Sequence, residues 1–305
     1  MKVVVFGSIN MDLVVTTPHL PKPGETLTGH TFVTTPGGKG ANQAVAAARL
    51  GANTVMVGRV GNDVFAADLM SNLEKNGVRV GAVYRDESQS SGIAVIAVED
   101  SGENNIVIIP GANGSVGEDE VARLASIVAE NDVLLLQLEV PLPFVAAAAR
   151  VGKEKGATVI LDPAPAQTLP DELLNLADLL TPNETEASIL TGVEVQDEAT
   201  AKEAAQRLIA RGAKQVLIKM GGAGGLWFDG ANTVMVPAFP VTAVDTVAAG
   251  DACNGGLAAA LCAGHSLETA LRWGMAAGGL ATTKPGAQEA MPTLAELRQF
   301  LETTP

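Results

Sequence analysis

The stretch Val133-Leu134-Leu135-Leu136-Gln137-Leu138-Glu139-Val140-Pro141 continues through Pro143–Lys155 to Gly156-Ala157-Thr158-Val159-Ile160-Leu161. Its first run is apolar without alternation, as in a parallel strand buried on both faces. Helical spacing follows over Pro143–Lys155 and stops at Gly156, a residue suited to the left-handed C′ position. Thr158–Leu161 is then a second buried strand. The same rhythm extends outward in both directions. Apolar runs recur at Val3–Phe6, Val55–Val57, Leu179–Thr181 and Gln215–Ile218. Helical patterns occupy Asn42–Leu50, Asp63–Asn76, Glu118–Glu130, Glu184–Leu190 and Ala199–Arg211, with Gly51, Gly77, Gly192 and Gly212 as stops. Alternating strands and helices predict an α/β fold, with a central, mostly parallel sheet covered by helices on both faces.

Two segments depart from that rhythm. Asp12–Thr17 and Thr26–Thr35 read as strands joined around Pro21-Lys22-Pro23-Gly24, and Gly92–Glu99 with Asn104–Ile109 as a hairpin around Asp100–Glu103. Neither carries a helix, so the expectation is one α/β domain over 1–305 with a small β-sheet lid built from insertions at about 12–36 and 90–110.

Composition narrows the function. The chain is 47% hydrophobic, as a globular protein is. A net charge of −14 disfavours nucleic acid and anionic membrane, and 3% aromatic residues leave few platforms for stacking bases. No run approaches the roughly 18 apolar residues of a membrane span. The N-terminal apolar run is too short for a signal peptide. Cys253 and Cys262 lie too far apart on one predicted helix to bridge each other, and reduced thiols suit a cytoplasmic protein.

Chemistry gathers at strand ends and helix starts. Asp245-Thr246-Val247-Ala248-Ala249-Gly250-Asp251 opens an alanine-rich helix. Helix N-termini offer unpaired N–H groups to anions, and a carboxylate there makes sense as a base beside a transferring phosphoryl group. An ordinary Asp cap gives the same letters. Pro36-Gly37-Gly38-Lys39-Gly40-Ala41-Asn42-Gln43 opens another helix. It lacks the spacing and hydroxyl of a P-loop, but its glycines with Lys39 and Asn42 suit a polar ligand. Asn10 and Asp12 follow the first strand, where they suit neighbouring sugar hydroxyls or an Asx turn. Glu139 follows another strand, as a site residue or a loop acid. Thr181-Pro182-Asn183-Glu184-Thr185-Glu186 suits water on Mg²⁺ or a plain helix start. Lys219-Met220-Gly221-Gly222-Ala223-Gly224-Gly225 is a Gly-rich turn that suits close passage of a nucleotide.

Taken together, these segments resemble the ribokinase family of sugar and nucleoside kinases, the PfkB carbohydrate kinases. The resemblance runs nearly the whole chain, on Gly7–Asp12, Gly37–Ala44, Thr181–Glu184 and Asp245–Asp251. Within the family it is most similar to the members that act on D-ribose. The resemblance implies ATP-dependent phosphorylation of the sugar's primary C5 hydroxyl. It implies that Asn10, Asp12, Gly38, Lys39, Asn42 and Glu139 hold the sugar, with Asp251 as base. Ala249, Gly250 and the Asp251 amide would form an anion hole. Asn183, Lys219, Gly221, Gly224, Gly250 and Met275 fall where ATP binds, and Glu186 where Mg²⁺ is organised through water. Asp245, Val247, Thr282, Pro285, Ala287 and Met291 fall at the ligands of an activating monovalent cation, usually K⁺. The lid would also pair two subunits into a homodimer. Ala248 stands where many relatives have Gly, and Lys219 where many have a neutral residue.

An Asp at a helix N-terminus is expected to have a low pKa, tolerable because the hydroxyl becomes acidic only late in a loose transition state. Deoxyribose, another sugar or a nucleoside are alternatives within the family. A sugar-binding or regulatory protein without catalysis is the reading from another class. A dehydrogenase is disfavoured, because no Gly-x-Gly-x-x-Gly fingerprint is present.

Overall fold

A computed structural model describes residues 1–304. Its main sheet has nine strands. From edge to edge they are Thr233–Val236 (β13), Gly225–Phe228 (β12), Val216–Lys219 (β11), Leu179–Leu180 (β10), Thr158–Leu161 (β9), Val133–Leu136 (β8), Val3–Phe6 (β1), Thr54–Val60 (β4) and Val78–Arg85 (β5). Pairing is parallel from β5 to β11 and antiparallel only at β11–β12–β13.

The helices are Lys39–Arg49 (α1), Ala66–Lys75 (α2), Glu118–Ile127 (α3), Leu142–Glu154 (α4), Asp171–Leu176 (α5), Glu184–Thr191 (α6), Glu198–Ala210 (α7), Ala249–Cys262 (α8), Leu267–Ala281 (α9) and Leu294–Thr303 (α10). Alternate residues of the same strand enter different cores, as the two-residue period of a strand requires. Val3, Val5, Val133 and Leu135 pack with the buried faces of α1, α2, α8 and α9. Val4, Phe6, Leu134 and Leu136 pack with α4, α6 and α7 on the other side. This double burial is why the strand sequences show no polar alternation.

A second sheet stands apart, in the order Thr31–Gly37 (β3), Asn10–Thr17 (β2), Gly92–Glu99 (β6), Asn104–Ile109 (β7). β2 pairs antiparallel with β3 and parallel with β6, with Asn10 opposite Gly92. Every residue of β7 is exposed.

The structure corrects several expected boundaries. The strand expected from Thr26 begins at Thr31, because residues 18–30 form a turn-rich connection. The helix expected to reach Glu130 ends at Ile127, and the run expected through Leu138 leaves the sheet after Leu136. β5, β12, β13, α5, α9 and α10 did not stand out in the sequence. Among the described residues no helix is long and apolar enough to cross a membrane. Cys253 and Cys262 are both free thiols.

Candidate active site

The parallel strands end on one side of the sheet, the side on which open α/β folds collect ligands. Ser8 and Asn10 follow β1, Glu139 follows β8, Asp162 follows β9, Asn183 follows β10, and Lys219 ends β11. Helices α1 and α8 begin beside them, the first amides of α1 being taken by Glu139 and Ser8.

The start of α8 is unusual in its backbone. Ala248 holds left-handed angles, φ 57° and ψ 13°, a conformation that disfavours a Cβ. That turn sets Ala249, Gly250 and Asp251 as the first helical residues. The Ala249 amide donates weakly to the Thr246 carbonyl at 3.3 Å. The Gly250 and Asp251 amides are among the orphan donors of a helix N-terminus and make no backbone hydrogen bond.

Asp251 is 4% exposed. Its Oδ2 accepts from Asn42 Nδ2 and its Oδ1 from Gln43 Nε2, both at 3.0 Å. The low pKa expected for it is overturned. Burial pushes its pKa above the ordinary carboxylate value, against the lowering pull of Lys39, and the nearby Asp162 charge adds to the rise. Its carboxylate faces the side chains of α1, so desolvation outweighs the helix dipole.

The second sheet supplies the opposite wall. Asn10 is buried, and its Oδ1 accepts from Asn113 Nδ2 at 2.6 Å, leaving its own NH₂ to donate. Asp12 lies against Gly37, where an added Cβ would sit 2.1 Å from its Oδ2. Burial raises the Asp12 pKa to about 7, helped by the charges of Glu139 and Asp251. Gly38 has φ 88°, and a Cβ there would come within 2.7 Å of the Asn10 amide. Glu139 Oε2 accepts from the Ser8 hydroxyl at 2.6 Å and from the Lys39 amide at 3.0 Å.

Two lysines bring positive charge to this acidic protein. Burial opposes the charge on Lys39, but Asp251, Asp162, Glu139 and Glu186 overcome it and hold the pKa above the ordinary lysine value. Among the described residues its ammonium forms no ion pair within 4.0 Å. Lys219 Nζ is paired with Asp162 Oδ1 at 2.9 Å. It would lie 3.2 Å from a Cβ placed on Gly250, directly beside the open amides.

A cleft of about 860 Å³ runs from there, lined by Lys39, Asn183, Lys219, Gly221, Asp251 and Met275 among others. Phe239 and Met275 add apolar surface to its lining. Asn183 and Glu186 cap α6 reciprocally: Asn183 Oδ1 accepts from the Glu186 amide and Glu186 Oε2 from the Asn183 amide, each at 2.8 Å. The capping reading of this segment therefore holds. The second Glu186 oxygen makes no such bond, and the residue lines the cleft. Gly224 does not line the cleft. It turns the β11–β12 hairpin at φ 95°, where a Cβ would meet the Val236 carbonyl at 2.2 Å.

The segment before α8 is tied to the one after α9. Asp245 Oδ1 accepts from the Val247 amide and Oδ2 from the Gly286 amide, both at 2.9 Å. Carboxylates accept further partners, so Asp245 fits a cation site. The Thr282 carbonyl already accepts from the Val244 and Asp245 amides at 2.7 and 3.1 Å, so it fits one poorly. Val247 is 51% exposed, Pro285 is exposed, and Ala287 and Met291 are buried.

Four residues of this network were not singled out from the sequence. Asp162 follows a buried strand just as Glu139 does, so the same rule would have found it. Gln43 follows Asn42 on α1. Asn113, remote in the chain from Asn10, gave no local signal. The same is true of Gln288, whose Nε2 donates to Asn42 Oδ1 at 3.0 Å.

A buried carboxylate in the first turn of a helix with open amides, beside a cleft of about 860 Å³, is an arrangement suited to a phosphotransferase that acts on small molecules. The chain belongs to the pfkB family carbohydrate kinases, whose family model matches residues 1–294. It is 44% identical to the ribokinase of Haemophilus influenzae, over 98% of this chain and 97% of that one. It is 38% identical to a Salmonella typhi deoxyribokinase, over 99% of both. The solved structure of Arabidopsis thaliana ribokinase complexed with ribose and ATP superposes with a TM-score of 0.91 at 34% identity, covering 99% of this chain and 98% of that one.

Proposed function

We propose that the chain transfers the γ-phosphoryl group of ATP to the C5 hydroxyl of D-ribose, giving ribose 5-phosphate and ADP. The observation that carries this reading is the position of Asp251. It lies between the sugar-type donors of α1 and the second sheet on one side and the open amides of α8 on the other. Asp251 accepts the hydroxyl proton as the oxygen attacks phosphorus. Burial raises its pKa, which makes it a better base than a surface aspartate, and its two hydrogen bonds orient the carboxylate while opposing that rise. The Gly250 and Asp251 amides, with Ala249 at the turn, stabilise the transferring group's charge, and Lys39 adds a free ammonium.

On this reading Asn10, Asp12, Gly38, Lys39, Asn42 and Glu139 hold the sugar. Asn183, Lys219, Gly221 and Met275 receive the nucleotide, with the apolar Phe239–Met275 surface suited to the base. Gly224 shapes the neighbouring hairpin. Oxygen donors suit Mg²⁺, and Glu186 with one uncommitted oxygen would hold it through water. When bound, Mg²⁺ neutralises phosphate charge. Asp245 with the carbonyls of Val247, Pro285, Ala287 and Met291 would hold K⁺, and the saturated Thr282 carbonyl would instead brace the loop. The second sheet acts as a lid. Exposed Phe32, Val33, Ile106 and Val107 on it suit a homodimer interface. Two free thiols suit the cytoplasm.

Ribose is favoured over 2-deoxyribose because the Asn10 amide and the Asp12 carboxylate offer separate partners for adjacent hydroxyls. The test is ADP release with ribose, 2-deoxyribose, fructose and adenosine, with and without K⁺, for the parent and Asp251→Asn. Ribose should be used best, and the variant should lose about 10²–10⁴-fold in turnover while binding an ATP analogue normally. Near-parental turnover by Asp251→Asn would refute the assignment.

A further inference from the structure

The mechanism above leaves one buried group unused. Asp162 is 2% exposed and lies at the end of β9, at the floor of the cleft. Its two oxygens have different partners. Oδ1 accepts from Lys219 Nζ and Oδ2 from Gln43 Nε2, both at 2.9 Å. The same Gln43 nitrogen donates its other hydrogen to Asp251 Oδ1 at 3.0 Å. Gln43 cannot rotate freely, because its Oε1 accepts from Gln137 Nε2 at 2.7 Å. One amide thus fixes two buried carboxylates, one of which is the base and the other the anchor of a cation.

That cation lies where new charge would appear. Lys219 Nζ is within 3.2 Å of the Cβ position on Gly250, whose amide is one of the open donors. An ammonium on a long stem has many rotamers, and an anchor removes that freedom before substrate arrives.

We propose that Asp162 is a positioning residue for phosphoryl transfer. It holds the Lys219 ammonium against the anion hole and, through the Gln43 amide, couples that ammonium to the base Asp251. The proposal rests on the kinase reading. In the step itself, the sugar oxygen forms the new P–O bond and its proton passes to Asp251. The bond to the β–γ bridging oxygen breaks, and its electron pair leaves on ADP. Charge growing on the transferring group and on that bridging oxygen then draws Lys219 toward it, while Asp162 stays bonded to Gln43.

The charged groups around the pair are few. Asp251 senses Lys39, Asp162 and Asp12. Lys219 senses Asp162, Glu186 and the Cys253 thiol, and burial opposes its charge. Removing the Asp162 charge leaves Lys219 without its nearest counter-charge and relieves Asp251 of a like charge. The second change makes Asp251 easier to ionise.

The test uses Asp162→Asn and Lys219→Met in the full chain, with thermal melting to show that each folds. In Asp162→Asn, kcat should fall about tenfold or more, with the sugar KM nearly unchanged. The acidic limb of the kcat profile, read at saturating sugar so that binding by Asp12 does not enter, should move down by about half a pH unit or more. Lys219→Met should lose about tenfold in affinity for a non-hydrolysable ATP analogue and little for ADP. This last measurement needs no turnover. A parent that binds the triphosphate but phosphorylates no sugar would overturn the kinase reading, while the triphosphate-against-diphosphate comparison would still judge Lys219. An unmoved acidic limb in a folded Asp162→Asn, or equal losses for ATP analogue and ADP in Lys219→Met, would overturn the proposal. If Asp162→Asn fails to fold, Asp162→Asn/Lys219→Met removes both charges together. The pair is then judged by the Lys219→Met comparison, where equal losses for the ATP analogue and ADP overturn the proposal.

Discussion

Gly255→Ala tests whether the two helices that meet at the base are held at a required distance. Gly255 lies on α8, one turn beyond Asp251, and faces α1. An added Cβ would sit 2.4 Å from Ala46 Cβ, 2.9 Å from the Ala47 nitrogen and 3.0 Å from the Gln43 carbonyl. Carbon atoms in contact prefer about 3.5–4.0 Å, so the helices must separate by roughly 1 Å. Overpacking of this kind costs about 1–3 kcal/mol of stability. The same movement carries Asn42 and Gln43 away from Asp251. Their 3.0 Å bonds would stretch past the roughly 3.5 Å at which such bonds fail. Losing one charged hydrogen bond, worth about 1.5–3 kcal/mol, predicts a kcat about 10–100-fold lower. The ATP KM should stay within about twofold, since Asn183, Gly221 and Met275 lie on other elements. Gly256→Ala is the control. Its Cβ would press on Ala277 Cβ at 2.8 Å and the Trp273 carbonyl at 3.0 Å, on α9. Urea unfolding and ADP-release kinetics on both variants give the comparison. The reasoning is refuted if Gly255→Ala loses stability while keeping parental kcat, or if both variants lose kcat equally.

Two further outcomes follow from single residues. With a pKa near 7, Asp12 accepts from sugar hydroxyls fully only above that pH, so kcat/KM for the sugar should fall below pH 7. The fall near pH 7 should be absent in Asp12→Asn, leaving only the acidic limb set by Asp251. The raised pKa also means that the folded state binds the extra proton. The stability contribution is therefore greatest below about pH 3.8 and is lost as pH rises through 7, so Asp12→Asn should melt above the parent at pH 8. Ala248→Gly removes a Cβ from a left-handed turn and should stabilise the protein by about 0.5–1 kcal/mol; a lower melting temperature would contradict that strain.

The α/β architecture was legible because burial on both sheet faces writes itself into the chain as unbroken apolar runs. Val133–Leu136 and Thr158–Leu161 show this directly. The small sheet was equally visible over Gly92–Ile109, where two extended runs flank a Gly-containing turn. β12 and β13 were obscured because the glycines before them read as a loop, and α9 because its apolar residues cover most of its surface. In the site, residues at element boundaries were readable, including Asn10, Glu139, Asn183 and Asp251. Partners assembled only by packing were not. Nothing near Asn10 announces Asn113, and nothing near Asp251 announces that burial would overrule its helix. That depends on how closely α1 meets α8, a distance set by Gly255.

The small sheet begins at residues that also line the site. Asn10 and Asp12 belong to β2, and Gly92 opposite Asn10 has no room for a Cβ, which would meet Asn113 Nδ2 at 2.1 Å and Asn10 Oδ1 at 2.2 Å. β2 is therefore a lever whose short arm is part of the binding wall. A substitution among the exposed residues of β7 would reach Asp12 through the hydrogen-bonded ladders of β6 and β2. On the proposed function, sugar preference would be partly a mechanical property, open to drift through changes that never touch the sugar.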